Sequence, residues 1–209
     1  GGYNADPAVL KSFEDKFAKL IELSDTATQG SNRIKTIVND LRLFSRLDNE
    51  QQDQVKISTL IQSTIHLVKT QFHDILIEVK IEQDPLITCF PAKLSQVFMN
   101  IIVNACQAIE QRKRVDAALV GRIFIVLTKE NGQLSVTFSD NGCGMDENAQ
   151  QKVFDPFYTT KDVGSGTGLG MSISFGIVDE HQGCIEIRSK LNQGTQMKVF
   201  LPINPIVQN

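Results

Sequence analysis

Asp140-Asn141-Gly142-Cys143-Gly144-Met145 sets a carboxylate at the head of a glycine-dense turn, and Gly164-Ser165-Gly166-Thr167-Gly168-Leu169-Gly170-Met171 supplies a second such turn one loop later. An ionised carboxylate only accepts hydrogen bonds, so Asp140 suits an exocyclic amine such as that of adenine. Glycines carry no Cβ, and clustered glycines therefore let main-chain N–H groups close on phosphate oxygens. The pair of turns points to ATP. Other phosphate motifs fail on the same residues. A dinucleotide fingerprint read from Gly166 needs glycine where Met171 stands, and no Gly-x-x-x-x-Gly-Lys-Ser/Thr occurs. The His-Arg-Asp and Asp-Phe-Gly triplets of serine/threonine and tyrosine kinases are also absent from the sequence.

A second constellation lies in Leu94-Ser95-Gln96-Val97-Phe98-Met99-Asn100-Ile101-Ile102-Val103-Asn104-Ala105, where Asn100 and Asn104 fall on one helix face amid residues that want burial. A buried amide must find partners. One asparagine here would read as a satisfied core group, but two in register beside glycine turns point to a metal–phosphate role. An amide oxygen is a hard ligand suited to Mg²⁺, which keeps several waters and bridges to substrate phosphates.

Periodicity gives the elements that must position these residues. Leu10, Phe13, Phe17 and Leu20, then Ile34, Ile37/Val38, Leu41 and Phe44, repeat at steps of three and four and predict two helices over residues 7–48. Gly30-Ser31-Asn32 is the expected break and N-cap. Narrow apolar seams flanked by charge suit pairing with a second copy, so a homodimeric four-helix bundle is expected ahead of the alternative, a helical pair packed on its own C-terminal domain. From Gln54 onward the pattern mixes. Short strands are expected at Val55–Ile57 and Leu76–Ile81, with helices over Ser58–Phe72, Lys93–Gln111 and Gly168–Glu180. Two hairpins are expected, Arg122–Thr128 with Leu134–Ser139 about Glu130-Asn131-Gly132-Gln133, and Cys184–Lys190 with Gln196–Leu201 about Asn192-Gln193-Gly194. Strands and helices segregate without a βαβ repeat, which favours an α+β two-layer sandwich with a mixed sheet. The domains are read as a helical hairpin over 1–53 and an ATP-binding domain over 54–209.

Composition agrees with a soluble globular domain plus one extra element: 209 residues, 41% hydrophobic and 22% charged. The net charge of −3 argues against nucleic acid or an anionic membrane surface as partner. Cys89, Cys106, Cys143 and Cys184 show no Cys-x-x-Cys spacing, so neither a zinc site nor a disulfide framework is signalled and a reduced, cytoplasmic setting fits. No apolar run reaches the ~20 residues that span a bilayer; any membrane anchor of the parent protein would lie upstream of Gly1.

The asparagine helix, Asp140–Met145, Phe154-Asp155-Pro156-Phe157-Tyr158-Thr159-Thr160-Lys161 and Gly164–Met171 together resemble, in order and spacing, the four ATP-binding boxes of two-component sensor histidine kinases. The resemblance covers roughly residues 55–203 and extends to a Bergerat-type fold shared with gyrase-type topoisomerases, Hsp90 chaperones and MutL repair proteins. Arg33–Asp48 further resembles the second helix of the histidine-kinase dimerisation domain.

Carried over residue by residue, the resemblance implies that Asn104 coordinates Mg²⁺, with Asn100 supporting it or contacting phosphate. Asp140 takes the adenine amine, Gly142 and Gly144 let the backbone pass under the base, and Thr195 lies near the adenine side. Phe154–Thr167 forms a lid that needs packing partners for Phe154, Phe157 and Tyr158. Lys161 approaches the γ-phosphate and joins Asn100 as a catalytic candidate. Gly166, Thr167, Gly168, Leu169 and Gly170 line the phosphates, and the helix that follows adds its N-terminal N–H groups. The implied ligands are ATP or ADP with Mg²⁺, and the implied partner is a response regulator receiver domain, whose aspartate receives the phosphoryl group from a histidine.

Three departures from the family pattern carry expectations. Ser165 stands where many members have lysine, which leaves the γ-phosphate to Lys161. Asn100 stands where the ATPase relatives place a glutamate base, and an amide cannot take a proton from water. Residues 1–64 contain no histidine, so the chain is read as starting after the acceptor segment, with Asp6–Thr28 as the remainder of that first helix and the turn. His66 is read as a partly exposed structural residue, and His73 and His181 as lying at helix ends, where a cation is favourable. Two other readings share the fold. One is a non-catalytic, ATP-responsive interaction module; the other is a serine kinase of the anti-sigma type, which the Arg33–Asp48 helix disfavours.

Overall fold

Strands with an apolar residue at every second position form the base of the core. The computed structural model describes residues 11, 16–24, 26–28, 30–31, 51–161 and 166–203. Within the larger part, the order is β1 (Asp53–Lys56), α1 (Ile57–Lys69), β2 (Leu76–Ile81), β3 (Leu86–Cys89), α2 (Pro91–Lys113), β4 (Arg122–Glu130) and β5 (Gln133–Asp140). It continues with α3 (Glu147–Lys152), α4 (Gly170–Glu180), β6 (Cys184–Lys190) and β7 (Gly194–Pro202). The five-stranded sheet has the order β2-β4-β5-β7-β6. β2 runs parallel to β4 and every other neighbour is antiparallel, so the sheet is mixed. β1 and β3 form a separate antiparallel pair.

Register turns this alternation into a wall. Ile125, Phe138 and Met197 face each other across β4, β5 and β7, as do Leu127, Val136 and Val199, and all six are buried. Helix α2 lies over these strands between α1 and α4. Its buried residues, Leu94, Val97, Phe98, Ile101, Ile102, Ala105, Cys106 and Ile109, make one continuous stripe at steps of three and four. Phe98 has no exposed surface and meets the Phe138 ring at 5.9 Å; burying such a side chain contributes about 2 kcal/mol.

The other ends of these helices fix the site. Lys93, at the start of α2, donates to Glu180 at the end of α4 at 2.6 Å. His181 accepts from Phe90 N–H through Nε2 at 3.0 Å and pairs through Nδ1 with the Ile177 carbonyl at 2.7 Å. Those partners demand the neutral ring with its proton on Nδ1. The expectation of a helix-end cation at His181 is therefore corrected: the ring is a buried link between α4 and the entry of α2. His66 and His73 are exposed.

From Gln54 onward the expected strands, long helices and both hairpins are present. The first turn is Asn131-Gly132, with φ of 49° and 81°, as a two-residue hairpin requires. Two elements were not expected. β3 is a four-residue strand that pairs with β1. α3 is a six-residue helix whose Asp146 cap accepts from Ala149 N–H at 2.7 Å. The described residues from 16 to 31 are helical, Gly30 and Ser31 included, so the break expected at Gly30-Ser31-Asn32 does not begin with those two. An interior glycine costs a helix about 1 kcal/mol and does not by itself end it. Phe17, Leu20, Ile21 and Leu23 on this helix are exposed. The second predicted seam, Ile34–Phe44, and the residues Leu10 and Phe13 lie outside the described residues. Among the described residues no helix is long and apolar enough to cross a membrane.

Candidate functional site

A cavity of about 520 Å³ opens between the polar face of α2, the two glycine turns and the start of β7. Asn100, Asn104, Gln107 and Gln111 of α2 line it at helical spacing, opposite the stripe the helix buries in the core. Every residue expected at the site lines this cavity except Gly142 and Leu169.

One end is built around Asp140, the last residue of β5. Its Oδ1 accepts from Gly142 N–H at 2.8 Å and from Thr195 N–H at 3.3 Å. Burial raises its pKa to about 6 and outweighs these two bonds, which pull the other way. At neutral pH the group is a carboxylate with reason to seek a donor.

The turns around Asp140 interlock. A Cβ on Gly142 would sit 2.7 Å from the Ala108 backbone carbon, so the loop lies directly on α2, where Cys143 N–H donates to Ala108 O at 3.0 Å. A Cβ on Gly144, with φ of +65°, would sit 2.0 Å from Lys190 O; one on Gly194, with φ of +105°, would sit 1.9 Å from Asp140 O. Glycine is thus required by both conformation and space. Asn192 N–H donates to Cys143 O at 2.7 Å, and Arg112 of α2 donates to Asn141 O at 3.0 Å. Gly142 serves this end from behind, as the backbone donor to Asp140.

The opposite end holds Lys161. Its Nζ donates to Asn104 Oδ1 at 2.9 Å and to Gln107 Oε1. Burial lowers its pKa. Among the described residues no carboxylate forms an ion pair with it, so the ammonium is held by amide oxygens alone. Asn100 Nδ2 donates to Gly170 O at 2.9 Å and to Ser174 Oγ at 3.1 Å, which ties the first turn of α4 to α2. Leu169 caps α4 with its carbonyl, accepting from Ile173 N–H at 3.0 Å. Gly168, with φ of +69°, accepts from Phe157 N–H at 2.9 Å. Of the lid aromatics, Phe154 packs on Phe175 at 5.4 Å and Tyr158 lines the cavity, whereas Phe157 is 65% exposed and left-handed. Ser165 lies outside the described residues.

A magnesium ion fits this donor set through Asn104. Among the described residues no group of His, Cys, Asp or Glu could hold a metal. Asn104 nonetheless lines the cavity, and its Oδ1 already accepts from a cation. One hard amide oxygen is a usual protein share for Mg²⁺ whose remaining ligands are water and phosphate.

Residues 90–205 match the histidine kinase-, DNA gyrase B- and HSP90-like ATPase family, more than half of the chain. The chain belongs to this family. It is 37% identical over 176 residues to the signal transduction histidine-protein kinase AtoS of Escherichia coli K12, covering 82% of this chain and 27% of that protein. Sporulation kinase A of Bacillus subtilis is 31% identical over 175 residues, again 82% of this chain and 27% of the relative. The chain thus spans about a quarter of the length of these two relatives. Among solved structures, the catalytic domain of histidine kinase ThkA superposes with a TM-score of 0.63 at 26% identity, over 73% of this chain and 96% of that one. The chain carries the ATP-binding catalytic region of a sensor histidine kinase.

Residues that sequence reasoning missed are Ser189, Gln150, Arg112 and Gln107. Gln107 follows Asn104 by one helical turn, a spacing the sequence displays. Ser189 faces Thr195 across the second hairpin, and only the register reveals that pairing.

Proposed function

We propose that this chain binds Mg²⁺·ATP in the 520 Å³ cavity and donates the γ-phosphoryl group to a histidine of a dimerisation helix, for relay to an aspartate of a response regulator. The observation that carries this reading is one cavity with a half-buried carboxylate at one end, aimed by Gly142 and Thr195, and a half-buried lysine on Asn104 at the other. Asp140 accepts the adenine amine. Lys161 neutralises charge on the γ-phosphate, and burial makes it eager for an anionic partner. Asn104 holds Mg²⁺, which supplies charge neutralisation across the phosphates when bound. Asn100 holds the first turn of α4 in place, so that its N–H groups face the polyphosphate.

The transfer breaks the bond from the γ-phosphorus to the bridging oxygen, whose electron pair leaves with ADP, as an imidazole nitrogen lone pair forms the new N–P bond. The protein's share is positioning and charge stabilisation. Asn100 offers no base for water, which favours transfer over hydrolysis.

The test supplies radiolabelled ATP and a separate histidine-bearing dimerisation segment. Acid-labile, alkali-stable label on that segment is expected, and should disappear in Lys161→Ala and Asn104→Ala. Normal ATP binding with no transfer would support an ATP-responsive interaction module; acid-stable label on serine would support a serine kinase. The chain alone should stay unlabelled, because His181 is buried with both ring nitrogens engaged and His66 and His73 lie away from residues 1–53.

We also read residues 1–53 as a dimerising helical segment and 54–209 as the catalytic domain. The exposed Phe17, Leu20, Ile21 and Leu23 support that reading. Light scattering should then report twice the 23.2 kDa chain mass, and a folded monomer would contradict it.

A further inference from the structure

We propose that Ser189 is a specificity-determining residue: it locks the Thr195 hydroxyl as a pure acceptor toward the cavity, so that Thr195 joins Asp140 in selecting a base with an amine and refusing one with a carbonyl. The inference rests on the reading of this cavity as an adenine site.

β6 is an edge strand, and Ser189 pairs with Thr195 of β7. Its backbone groups turn outward to a single side chain: Gln150 Nε2 donates to Ser189 O at 3.0 Å, and Gln150 Oε1 accepts from Ser189 N–H at 3.0 Å. A pair whose backbone groups point away from each other is the narrow kind, in which side chains approach closely. The hydroxyls of Ser189 and Thr195 accordingly lie 2.9 Å apart.

Proton counting then fixes direction. A serine hydroxyl has one proton and two lone pairs. Ser189 Oγ contacts Gly194 O at 3.0 Å, and a carbonyl can only accept, so the serine proton goes there. Met145 N–H donates to Ser189 Oγ at 2.8 Å and takes one lone pair. The remaining lone pair can only be met by the Thr195 proton. Ser189 is saturated, and Thr195 keeps only lone pairs for any further partner. Thr195 lines the cavity, and its own N–H supports Asp140 Oδ1. Two acceptors therefore belong to residues that line one cavity and are joined by the Thr195 N–H bond to Asp140 Oδ1. Adenine presents an amine where guanine presents a carbonyl, so guanine meets two lone-pair surfaces in place of one. Ser189 touches no ligand and acts through Thr195, as a positioning residue.

Calorimetric titration of ATP and GTP into the wild type, Ser189→Ala and Thr195→Val tests this. Removing the Ser189 hydroxyl frees the Thr195 proton to donate. One net neutral hydrogen bond corresponds to about three- to tenfold in affinity, so the ATP-to-GTP preference should fall by about that factor in Ser189→Ala. Thr195→Val should lower the preference as well, and adding Ser189→Ala to Thr195→Val should change it no further. Equal losses for both nucleotides in Ser189→Ala, with the ratio unchanged, would leave Ser189 a purely structural role and overturn the proposal. Should Ser189→Ala fail to fold, an unchanged ratio in Thr195→Val overturns it equally. A wild type that binds ATP and GTP alike would instead contradict the adenine-site reading itself.

Discussion

The two ends of the cavity are built on different principles. Around Asp140 the backbone of three elements is interlocked: Gly142 lies on α2, Gly144 on Lys190, and Gly194 on Asp140 itself, with contacts that leave no room for a Cβ. Hydroxyl and amide partners there are saturated down to proton direction. Around Lys161 the chain is held by a few side-chain bonds between an ammonium and amide oxygens. The first end is preorganised and suited to discrimination, since a rigid, fully paired pocket penalises a ligand that leaves a group unmatched. The second holds a half-buried cation that, among the described residues, has no carboxylate partner, so an incoming phosphate would supply the missing negative charge. Base identity and phosphate chemistry should therefore separate under mutation.

The largest effect is expected at the rigid end. In Asp140→Asn the amide oxygen would be taken by Gly142 and Thr195 N–H, which turns Nδ2, a donor, toward the adenine amine. ATP affinity should fall by ~10³-fold, within the range seen when a site built for a hydrogen bond is refused it. The same variant should be more stable. The carboxyl pKa is raised by burial from 3.8 to about 6, so ionising it costs folding free energy that is fully felt above about pH 6 and vanishes below 3.8. Wild-type melting temperature should consequently rise, relative to Asp140→Asn, as pH falls from 7 toward 4. ATP affinity should decline over the same descent through about 6. Unchanged stability in Asp140→Asn would mean that the carboxylate is not strained by burial.

An intermediate effect is expected at Asn104. Asn104→Ala should remove most of the Mg²⁺-dependent gain in ATP affinity, ~10- to 100-fold, while leaving AMP binding in place; calorimetry with and without Mg²⁺ separates the two. The smallest is expected at Lys161. Lys161→Met should weaken ATP by ~10-fold, as expected for a partly buried charge-assisted bond, and leave AMP within about twofold. If AMP affinity fell with ATP in either variant, the two ends would not be independent, and the contrast drawn between them would fail.

The sequence made the rigid end legible through its glycines, because a conformational requirement writes itself into residue type: Gly144 and Gly194 both have positive φ. The α2 face was legible because helical periodicity separates Asn100 and Asn104 from the buried stripe. β3 was not, since a four-residue strand paired with a distant short one carries too little alternation to register. Ser189 was equally hidden. Its role depends on strand register and on Gln150, far away in sequence, and no local pattern encodes either. His181 was misread because a position at a helix end suggests a cation, while the deciding partner, Phe90 N–H, comes from the residue just before α2.

The measurement that bears most directly on the account is calorimetric competition between ATP and GTP for the wild-type chain at pH 7.5 with Mg²⁺. A carboxylate and an acceptor-only hydroxyl at the base end predict that ATP binds and that GTP is weaker by ~10⁴-fold. GTP competing as well as ATP would contradict the assignment of Asp140 as the base-selecting residue, and with it the division of labour between the two ends.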